Sequence, residues 1–467
     1  LEGQKELPIT LKITKPKGFY GSTSLIAKAT TATEDTYEIA GYNDLADSPL
    51  MYCLPDTSVR MVGGAEILVS VYSPNKRVRA SAVMESLAEI LAAQKEYLGG
   101  TLPVEKYAFL IYLTPGMGGG GMGALEHSYS SMYFMPESEE KSTAKMLRSV
   151  AAHEFFHIVT PLSIHSEEIH YFDFIDPKMS RHLWLYEGMT EYSAGLVQVK
   201  YDLISTGDYL RGMQQKITMS SFFIDSIPFT EISAGCLHKY KSQYLNVYQK
   251  GALIGMSLDI LLRDLSGGEM GIQELLRALS KTYGKDNPFK DGELFAKIVE
   301  LTFPEVEAFL SQYVAGTEKL PFEKIFKSVG IIYKLVGNEK VLSTGRVSLR
   351  WDKQEGKYEV LDVNKVNKFG KKLGYKKGDY IASFDGEALN INNFDEVIAR
   401  YRGRHKAGDK IFVEVLRAQA NGSRKLTKLK GKAVTTNIRG MNLLMLDPNA
   451  TEAQRALRKA WLEPKGN

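Results

Sequence analysis

The sequence predicts a multidomain protein of the α+β class, and three observations support this. Short β-type stretches occupy the first 60 residues, helical hydrophobic spacing dominates residues 80–320, and short strands with frequent turns return after Leu320. Sheet-forming segments followed by a run of helices are typical of α+β folds. With 44% hydrophobic and 24% charged residues, the composition is globular, and 467 residues accommodate about three domains.

The first predicted domain, residues 1–60, is the end of an N-terminal β domain. Residues 9–13 and 36–39 read as strands separated by Lys-Pro-Lys-Gly and Asn-Asp turn signals. Because so few strands cannot enclose a core, we expect this domain to be truncated, with its beginning upstream of Leu1.

The second predicted domain, residues 61–320, is mostly helical. Its first helix begins at Ala80, repeats Val83, Leu87 and Leu91 at helical spacing, and stops at Gly99. A strand over residues 107–113 follows. Further helices are predicted over residues 142–159, 183–203, 248–265, 272–283 and 306–314.

The third predicted domain, residues 325–435, is a second β domain, followed by a tail with a short helix over residues 436–467. Residues 373–389 resemble the part of PDZ domains where a tight turn enters a strand and a hairpin follows. This resemblance implies a PDZ-like domain with a peptide ligand. Its carboxylate-binding loop would be residues 343–346, although a Gly-Leu-Gly-Phe-like segment is absent.

Charge is distributed unevenly along the chain. Residues 321–467 carry 30 Lys and Arg against 16 Asp and Glu, whereas residues 1–320 carry 29 against 39. The basic residues are scattered, with no long block, so a solvated surface is favoured over a nucleic-acid or anionic-membrane site. We therefore predict no nucleic-acid partner.

Hydropathy and cysteine content exclude several classes of protein and of metal site. The longest apolar stretches, such as residues 107–113, fall far short of the ~20 residues of a membrane-spanning helix. Two cysteines, Cys53 and Cys236, exclude a disulfide-rich scaffold and an all-cysteine metal site, but leave one disulfide between them open.

The strongest chemical motif is the sequence His-Glu-Phe-Phe-His at residues 153–157. On a continuous helix, His153 and His157 share one face and can both ligate Zn²⁺. Glu154, one residue along the turn, is then placed to act on water and not to bind the metal. Alone, the motif could also be a pair of half-exposed histidines.

A second helical segment, which begins at Leu183, supplies the missing ligand. Zinc in a catalytic site takes a third protein ligand and keeps one open position. Glu187 would be that ligand, and Glu191, one turn on, would accept the outer N–H of a ligating histidine. Competing ligands lie in the polar connection between the two motifs, where a solvated loop is the simpler explanation: His165, Glu167, Glu168, His170 and His182.

A glycine-rich segment, residues 116–123, precedes Glu126. No βαβ unit surrounds it and no Gly-Lys-Ser/Thr follows, so dinucleotide and P-loop binding are excluded. It is either a flexible lid or a strand edge where Gly123 and Ala124 let an extended peptide approach the backbone. Glu126 would then be a fixed anion for a cationic group, unless it is a surface carboxylate.

The fourth motif is a tyrosine at the start of a later helix. Amide hydrolysis passes through an oxyanion, which a phenol can stabilise beside the metal. Tyr248 fits this role, with Tyr244 as the substitute.

Together, these four motifs and the trailing PDZ-like segment resemble, in order, the glycyl aminopeptidase family, zinc metallopeptidases of the gluzincin group with a thermolysin-like catalytic domain. The resemblance implies one Zn²⁺ per chain, bound by the two histidines and Glu187. It also implies that Glu154 is the base, that Glu126 binds the substrate amine and that Tyr248 lies beside the oxyanion.

The resemblance implies an aminopeptidase that acts on peptides or proteins, prefers N-terminal glycine or alanine, and is exported to the periplasm. Two alternatives remain at this point. One is a zinc endopeptidase whose PDZ-like domain captures substrate. The other is a non-catalytic PDZ protein with a structural metal, although a structural site would need four protein ligands.

Overall fold

The computed structural model describes residues 3–54, 56–116, 122–127, 129–391 and 393–464. The chain forms two compact units: unit 1 comprises Leu1–Tyr333 and Leu444–Asn467, and unit 2 comprises Lys334–Leu443. In the described ranges, no helix combines the length and apolarity that crossing a membrane requires. Cys53 and Cys236 are free thiols.

Unit 1 begins with β structure and continues as helices, which confirms the mixed α+β class. Its first strands form a three-stranded antiparallel sheet in the order β1-β4-β3 and a separate β2-β5 pair. The elements are β1 (Ile9–Thr14), β2 (Tyr20–Ser22), β3 (Ala27–Thr30), β4 (Glu34–Ile39), α1 (Tyr42–Ala46) and β5 (Met51–Cys53).

A buried ion pair closes this first sheet. Lys15 Nζ lies 2.6 and 2.8 Å from the two carboxylate oxygens of Asp35, and the Tyr52 hydroxyl donates to the same carboxylate at 2.8 Å. Burial alone would raise the pKa of Asp35, but the hydrogen bonds from Lys15 and Tyr52 lower it overall.

We expect Lys15→Met to destabilise unit 1 by about 3 kcal/mol, because it leaves the Asp35 carboxylate buried without its cation. Since the pKa of Asp35 is lowered by folding, its contribution should be present at neutral pH and lost as the pH falls below about 4. Urea unfolding at pH 7 and pH 3 measures both effects. Lys12→Met, at an exposed position of β1, is the matched control, and equal stability of the two variants would contradict the prediction.

A five-stranded sheet forms the frame of the site. Its order is β6-β7-β8-β10-β9, with parallel pairing of β7, β8 and β10 and antiparallel edge strands β6 and β9. Alternate residues of β8 such as Tyr107 and Phe109 are buried in the main core. The strands are β6 (Asp56–Val62), β7 (Ala65–Tyr72), β8 (Lys106–Thr114), β9 (Gly123–His127) and β10 (Ser130–Pro136).

Helices cover this sheet and fill the rest of unit 1. The predicted first helix is present as α2 (Ala80–Tyr97), which ends where Gly99 and Gly100 adopt positive φ angles. The other helices are α3 (Glu140–Phe156), α4 (Glu167–His170), α5 (Met189–Lys200), α6 (Thr206–Ser220), α7 (Phe229–Gly235), α8 (Tyr244–Leu265), α9 (Ile272–Thr282), α10 (Leu294–Leu301), α11 (Glu305–Tyr313) and α12 (Phe322–Ser328). A π-helical turn, Trp184–Gly188, precedes α5, and a 3₁₀ turn, Lys241–Gln243, precedes α8.

Two differences from the predicted helices concern the site. The helix of the His-Glu-Phe-Phe-His motif ends at Phe156, three residues before its predicted end, but His157 keeps right-handed helical angles (φ −61°, ψ −15°), so both imidazoles still share a face. The predicted helix over residues 183–203 begins with the π-helical turn. Further helices among the described residues of unit 1 were not predicted either, namely α1, α4, α6, α7, α10 and α12, and of these α6 contacts the site.

Unit 2 is a β domain with two helices, and its PDZ-like character stays a prediction. Its sheet runs β12-β13-β14-β16-β17, with β15 paired to β14, and its core includes Val360, Phe369, Ile381 and Val413. The remaining elements of the chain are β11 (Ile331–Leu342), β12 (Ser348–Asp352), β13 (Lys357–Asp362), α13 (Lys368–Leu373), β14 (Tyr380–Phe384), β15 (Glu387–Ala388), α14 (Phe394–Arg404), β16 (Lys410–Ala418), β17 (Arg424–Lys432), β18 (Thr435–Leu446) and α15 (Glu452–Leu462).

Candidate metal centre and substrate cleft

The sheet and α2 fix the end of α3 that carries the histidines. The Tyr107 hydroxyl of β8 donates to the backbone oxygen of Glu154 at 3.2 Å, and the side-chain amide of Gln94 in α2 donates to the backbone oxygen of Ala152 at 2.8 Å. Phe155, the residue after Glu154, packs edge-on against Tyr107. The apolar face of α3 therefore faces the sheet, and the opposite face presents His153 and His157.

Three side chains converge at this face. His153 Nε2 lies 3.2 Å from His157 Nε2 and 3.2 Å from Glu187 Oε2, and His157 Nε2 lies 3.5 Å from the same carboxylate oxygen. All three residues are buried, His157 with only 1% of its surface exposed. The structure thus brings together the three predicted ligands.

The outer nitrogens of both imidazoles are already engaged. His153 Nδ1 lies 2.8 Å from Glu191 Oε2, and His157 Nδ1 lies 2.8 Å from the backbone oxygen of Thr160. A carboxylate and a carbonyl oxygen only accept, so each Nδ1 must carry the proton. In the neutral rings, both Nε2 atoms then direct lone pairs at one point beside the Glu187 carboxylate. This donor set fits a zinc ion.

The electrostatics of the cluster favour a positive charge at the same point. Burial alone would lower the pKa of His153, but its hydrogen bonds to Glu187 and Glu191 raise it well above the ordinary value. Burial opposes protonation of His157 too, yet the carboxylates of Glu126 and Glu187 raise its pKa to about 9. A dication would satisfy this demand while both rings stay neutral.

Close backbone contact positions Glu187 against α8. A Cβ on Gly188 would lie 2.5 Å from the carbonyl carbon of Gly251, and a Cβ on Gly251 would lie 2.8 Å from the Cα of Gly188. Only glycine permits this approach at either position. The π-helical turn that carries Glu187 and the helix that carries Tyr248 are therefore held directly against each other.

We expect Gly251→Ala to push the π-helical turn away from α8, at a cost of about 1–3 kcal/mol of stability. Because Glu187 moves with the turn, affinity for zinc should fall as well. Thermal unfolding and chelator competition measure the two effects. Gly212→Ala in α6, where a Cβ meets nothing within 4 Å, is the control. It should lower neither the unfolding temperature nor the affinity for zinc. Wild-type zinc affinity in the Gly251→Ala variant would contradict the prediction.

Glu191 connects His153 to a lysine of α6. One of its carboxylate oxygens accepts from His153, and the other accepts from Lys216 Nζ. Burial alone would raise the pKa of Glu191, but these two partners lower it to about 2. Glu191 is thus an anion that holds the His153 ring in one tautomer and orientation.

We expect Glu191→Ala to reduce zinc affinity by about 10-fold to 100-fold, since ligand orientation is lost while all three ligands remain. Chelator competition with the purified protein measures this directly. Glu89→Ala removes a carboxylate whose side chain is 68% exposed, and it should leave the affinity unchanged. Equal zinc affinities of the two variants would show that Glu191 does not orient His153.

Glu126 and Glu154 form a second cluster with His157. One ligand atom from each of these three residues lies within 4.8 Å of the other two. Burial, followed by the nearby carboxylates of Glu187 and Glu154, raises the pKa of Glu126 to about 7, although His157 opposes the rise. Burial also raises the pKa of Glu154. The edge strand β9 therefore carries Glu126 into the cluster, whereas Leu125 beside it is 55% exposed.

Tyr248 lies beside His153. Its ring centroid is 5.6 Å from that of His153, and its hydroxyl lies 3.3 Å from the hydroxyl of Tyr244. Burial, and then the charge of Glu187, raise the pKa of both phenols, that of Tyr244 to about 12. Both hydroxyls therefore keep their protons at neutral pH, and the structure places the predicted tyrosine and its substitute side by side.

The competing ligands are engaged elsewhere. His165 Nε2 lies 3.0 Å from His170 Nδ1, and His182 Nε2 lies 2.7 Å from the backbone oxygen of Asp291. Glu167 and Glu168 lie in α4 and belong to neither metal-ligand cluster of the described residues. Gly123 and Ala124 lie on the edge strand β9, in line with the strand-edge alternative, whereas residues 117–121 of the glycine segment are outside the described part of the chain.

Two contributors to the centre were missed from the sequence. Thr160 acts through its backbone oxygen, which no side-chain pattern reveals. Lys216 lies in α6, where Tyr209, Leu210, Met213 and Ile217 are buried at helical spacing. That spacing could have identified the helix, but not the contact.

The fold and the site define the class of the protein. Two imidazoles and a carboxylate that converge beside a further glutamate are the arrangement of a metallopeptidase. Two family models match parts of the chain: M61 glycyl aminopeptidase matches residues 146–254, and the peptidase M61 N-terminal domain matches residues 1–53. The predicted resemblance to glycyl aminopeptidases is thus confirmed, and the chain is an enzyme whose substrates are peptides.

One solved structure shares the fold over nearly the whole chain. An aminopeptidase N family protein from Idiomarina loihiensis matches with a TM-score of 0.65 at 19% identity, over 99% of this chain and 80% of that one. An M1 zinc metallopeptidase from Deinococcus radiodurans is more distantly similar, with a TM-score of 0.48 at 17% identity over 68% of this chain and 66% of that one. A search of curated protein sequences found no match.

Proposed function

We propose that this enzyme is a zinc aminopeptidase that hydrolyses the first peptide bond of its substrates. The observation that carries the proposal is the position of Glu126, whose carboxylate shares a cluster with Glu154 and His157. A carboxylate at this distance from the catalytic base can bind the free α-ammonium of a substrate while the first carbonyl lies at the metal.

The metal, held by His153, His157 and Glu187, would polarise the scissile carbonyl and lower the pKa of a water molecule. Glu154 lies beside the ligands without belonging to their set. It takes a proton from the attacking water and delivers it to the leaving amine. Its raised pKa, which burial causes, suits a group that must both accept and return a proton.

Tyr248 and Glu126 complete the proposed chemistry. The Tyr248 phenol, which keeps its proton, donates a hydrogen bond to the carbonyl oxygen as negative charge develops there. Glu126 pairs with the α-ammonium and so determines which carbonyl is attacked. Gly123 and Ala124 on the same edge strand leave its backbone open to an extended peptide. A preference for N-terminal glycine or alanine belongs to the proposal through the family resemblance.

Cleavage of N-terminal dipeptide amides with and without an N-acetyl group tests the proposal. We expect release of the first residue from free-amine substrates, with glycine and alanine favoured, and little reaction with acetylated ones. Equal cleavage of both forms would show that the enzyme is an endopeptidase and that Glu126 does not determine which peptide bond is cleaved.

Unit 2 is proposed to bind a peptide as a PDZ-like domain. Its strand β12 lies at the edge of the sheet. The loop before it contains Gly345 and Arg346 with φ angles of +107° and +58°, and such turns can direct backbone N–H groups at a carboxylate. Location in the periplasm stays a prediction.

A further inference from the structure

A cavity of about 220 Å³ lies behind the candidate metal centre in unit 1. Its lining comes from the ends of α2 and α3, from α5 and from α9. On α5, Glu191 faces His153, whereas Ser193 lines the cavity. Thr160, whose backbone oxygen accepts from His157, also lines the cavity, so the cavity borders the metal centre, but none of the predicted metal ligands lines it.

The floor of the cavity is apolar, with two buried hydroxyl groups. The apolar lining residues are Leu98, Pro103, Phe156, Val159, Met189 and Leu276. The Tyr97 hydroxyl and Ser193 Oγ are both buried and interact with each other, and neither has a further hydrogen-bond partner. A ligand with an oxygen atom at this depth would offer these two hydroxyl groups a further partner.

The mouth of the cavity carries one cation. Arg277 of α9 donates to the backbone oxygen of Tyr97 at 3.2 Å, and its guanidinium has no carboxylate within 4.0 Å among the described residues. Since a guanidinium carries five N–H donors, most of its hydrogen-bonding capacity remains for an anion. Thr101 and Ser280 complete an exposed polar rim.

We propose that this cavity binds a small carboxylate with an apolar body, at a site separate from the metal centre. The apolar part occupies the floor, where about 150 Å³ is enough to hold a benzene ring in an apolar protein cavity. The carboxylate pairs with Arg277 at the mouth. Because neither Glu154 nor any of the three predicted metal ligands lines the cavity, its ligand is distinct from a substrate in the cleft.

Calorimetric titration of the zinc-loaded protein with 3-phenylpropionate, and with 3-phenylpropan-1-ol as its neutral counterpart, tests the proposal. We expect millimolar binding of both compounds, with the carboxylate bound about fivefold more tightly, as an exposed ion pair allows. Arg277→Gln should abolish this difference. Lys281→Gln, which removes a charge from α9 outside the cavity lining, should preserve it.

Ser280→Trp, which blocks the mouth, should weaken binding of both compounds at least tenfold, and Thr101→Trp provides a second blocking variant if the first fails to fold. Binding that survives a folded blocking variant would place the ligand elsewhere and overturn the proposal. Loss of binding on zinc removal would place it at the metal centre, with the same result. The absence of heat at millimolar concentrations would also overturn it.

Discussion

Glu154→Gln is expected to remove most turnover and to leave zinc bound. Glutamine keeps the size of the side chain but cannot accept a proton, whereas the ligands His153, His157 and Glu187 are untouched. General acid–base catalysis contributes about 10²-fold to 10⁴-fold. We therefore expect a loss of about 10³-fold in kcat, or about 4 kcal/mol of transition-state stabilisation.

Steady-state kinetics on a free-amine dipeptide amide, together with metal analysis of the same sample, check this prediction. Glu140→Gln is the matched control, because Glu140 begins the same helix and pairs with Arg79 away from the centre. It should keep both activity and zinc. Loss of zinc from the Glu154→Gln variant would show that Glu154 supports the metal site and is not the base.

The proximity of the three predicted metal ligands could be anticipated from the sequence because it follows from local spacing. Two histidines four residues apart must share a helix face, and Glu187 follows on a segment that is also helical. The tertiary fold then had only to bring two helical segments together. For the same reason, Glu191 could be predicted one turn after Glu187.

Contacts between distant backbone groups could not be predicted. The approach of Gly188 to Gly251 depends on how the π-helical turn packs on α8, and a glycine in a sequence does not reveal its neighbour. Thr160 holds His157 with a carbonyl oxygen that every residue possesses. Lys216 reaches Glu191 from a helix 25 residues away. These partners follow from tertiary packing, which propensity and periodicity do not encode.

The position of Glu126 distinguishes removal of the N-terminal residue from cleavage within a peptide. In a cluster this enclosed, an ion pair between a carboxylate and the substrate's α-ammonium is worth more than the ~0.2–1 kcal/mol of an exposed pair. It also fixes which carbonyl reaches the catalytic base. We expect Glu126→Ala to lower kcat/KM for free-amine peptides by about 10²-fold, or about 2.7 kcal/mol.

Zinc content and unfolding temperature should be unchanged in this variant, because Glu126 lies outside the predicted ligand set. Leu125→Ala is the matched control, since Leu125 lies on the same edge strand with 55% of its surface exposed. It should retain nearly full activity. N-acetylated peptides, which carry no ammonium group, should be poor substrates for the unaltered enzyme and for both variants alike.

If Glu126→Ala lost no more activity than Leu125→Ala, Glu126 would be a solvated surface carboxylate. Other contacts in the cleft would then have to determine which peptide bond is cleaved, as in an endopeptidase that binds its substrate on both sides of the scissile bond.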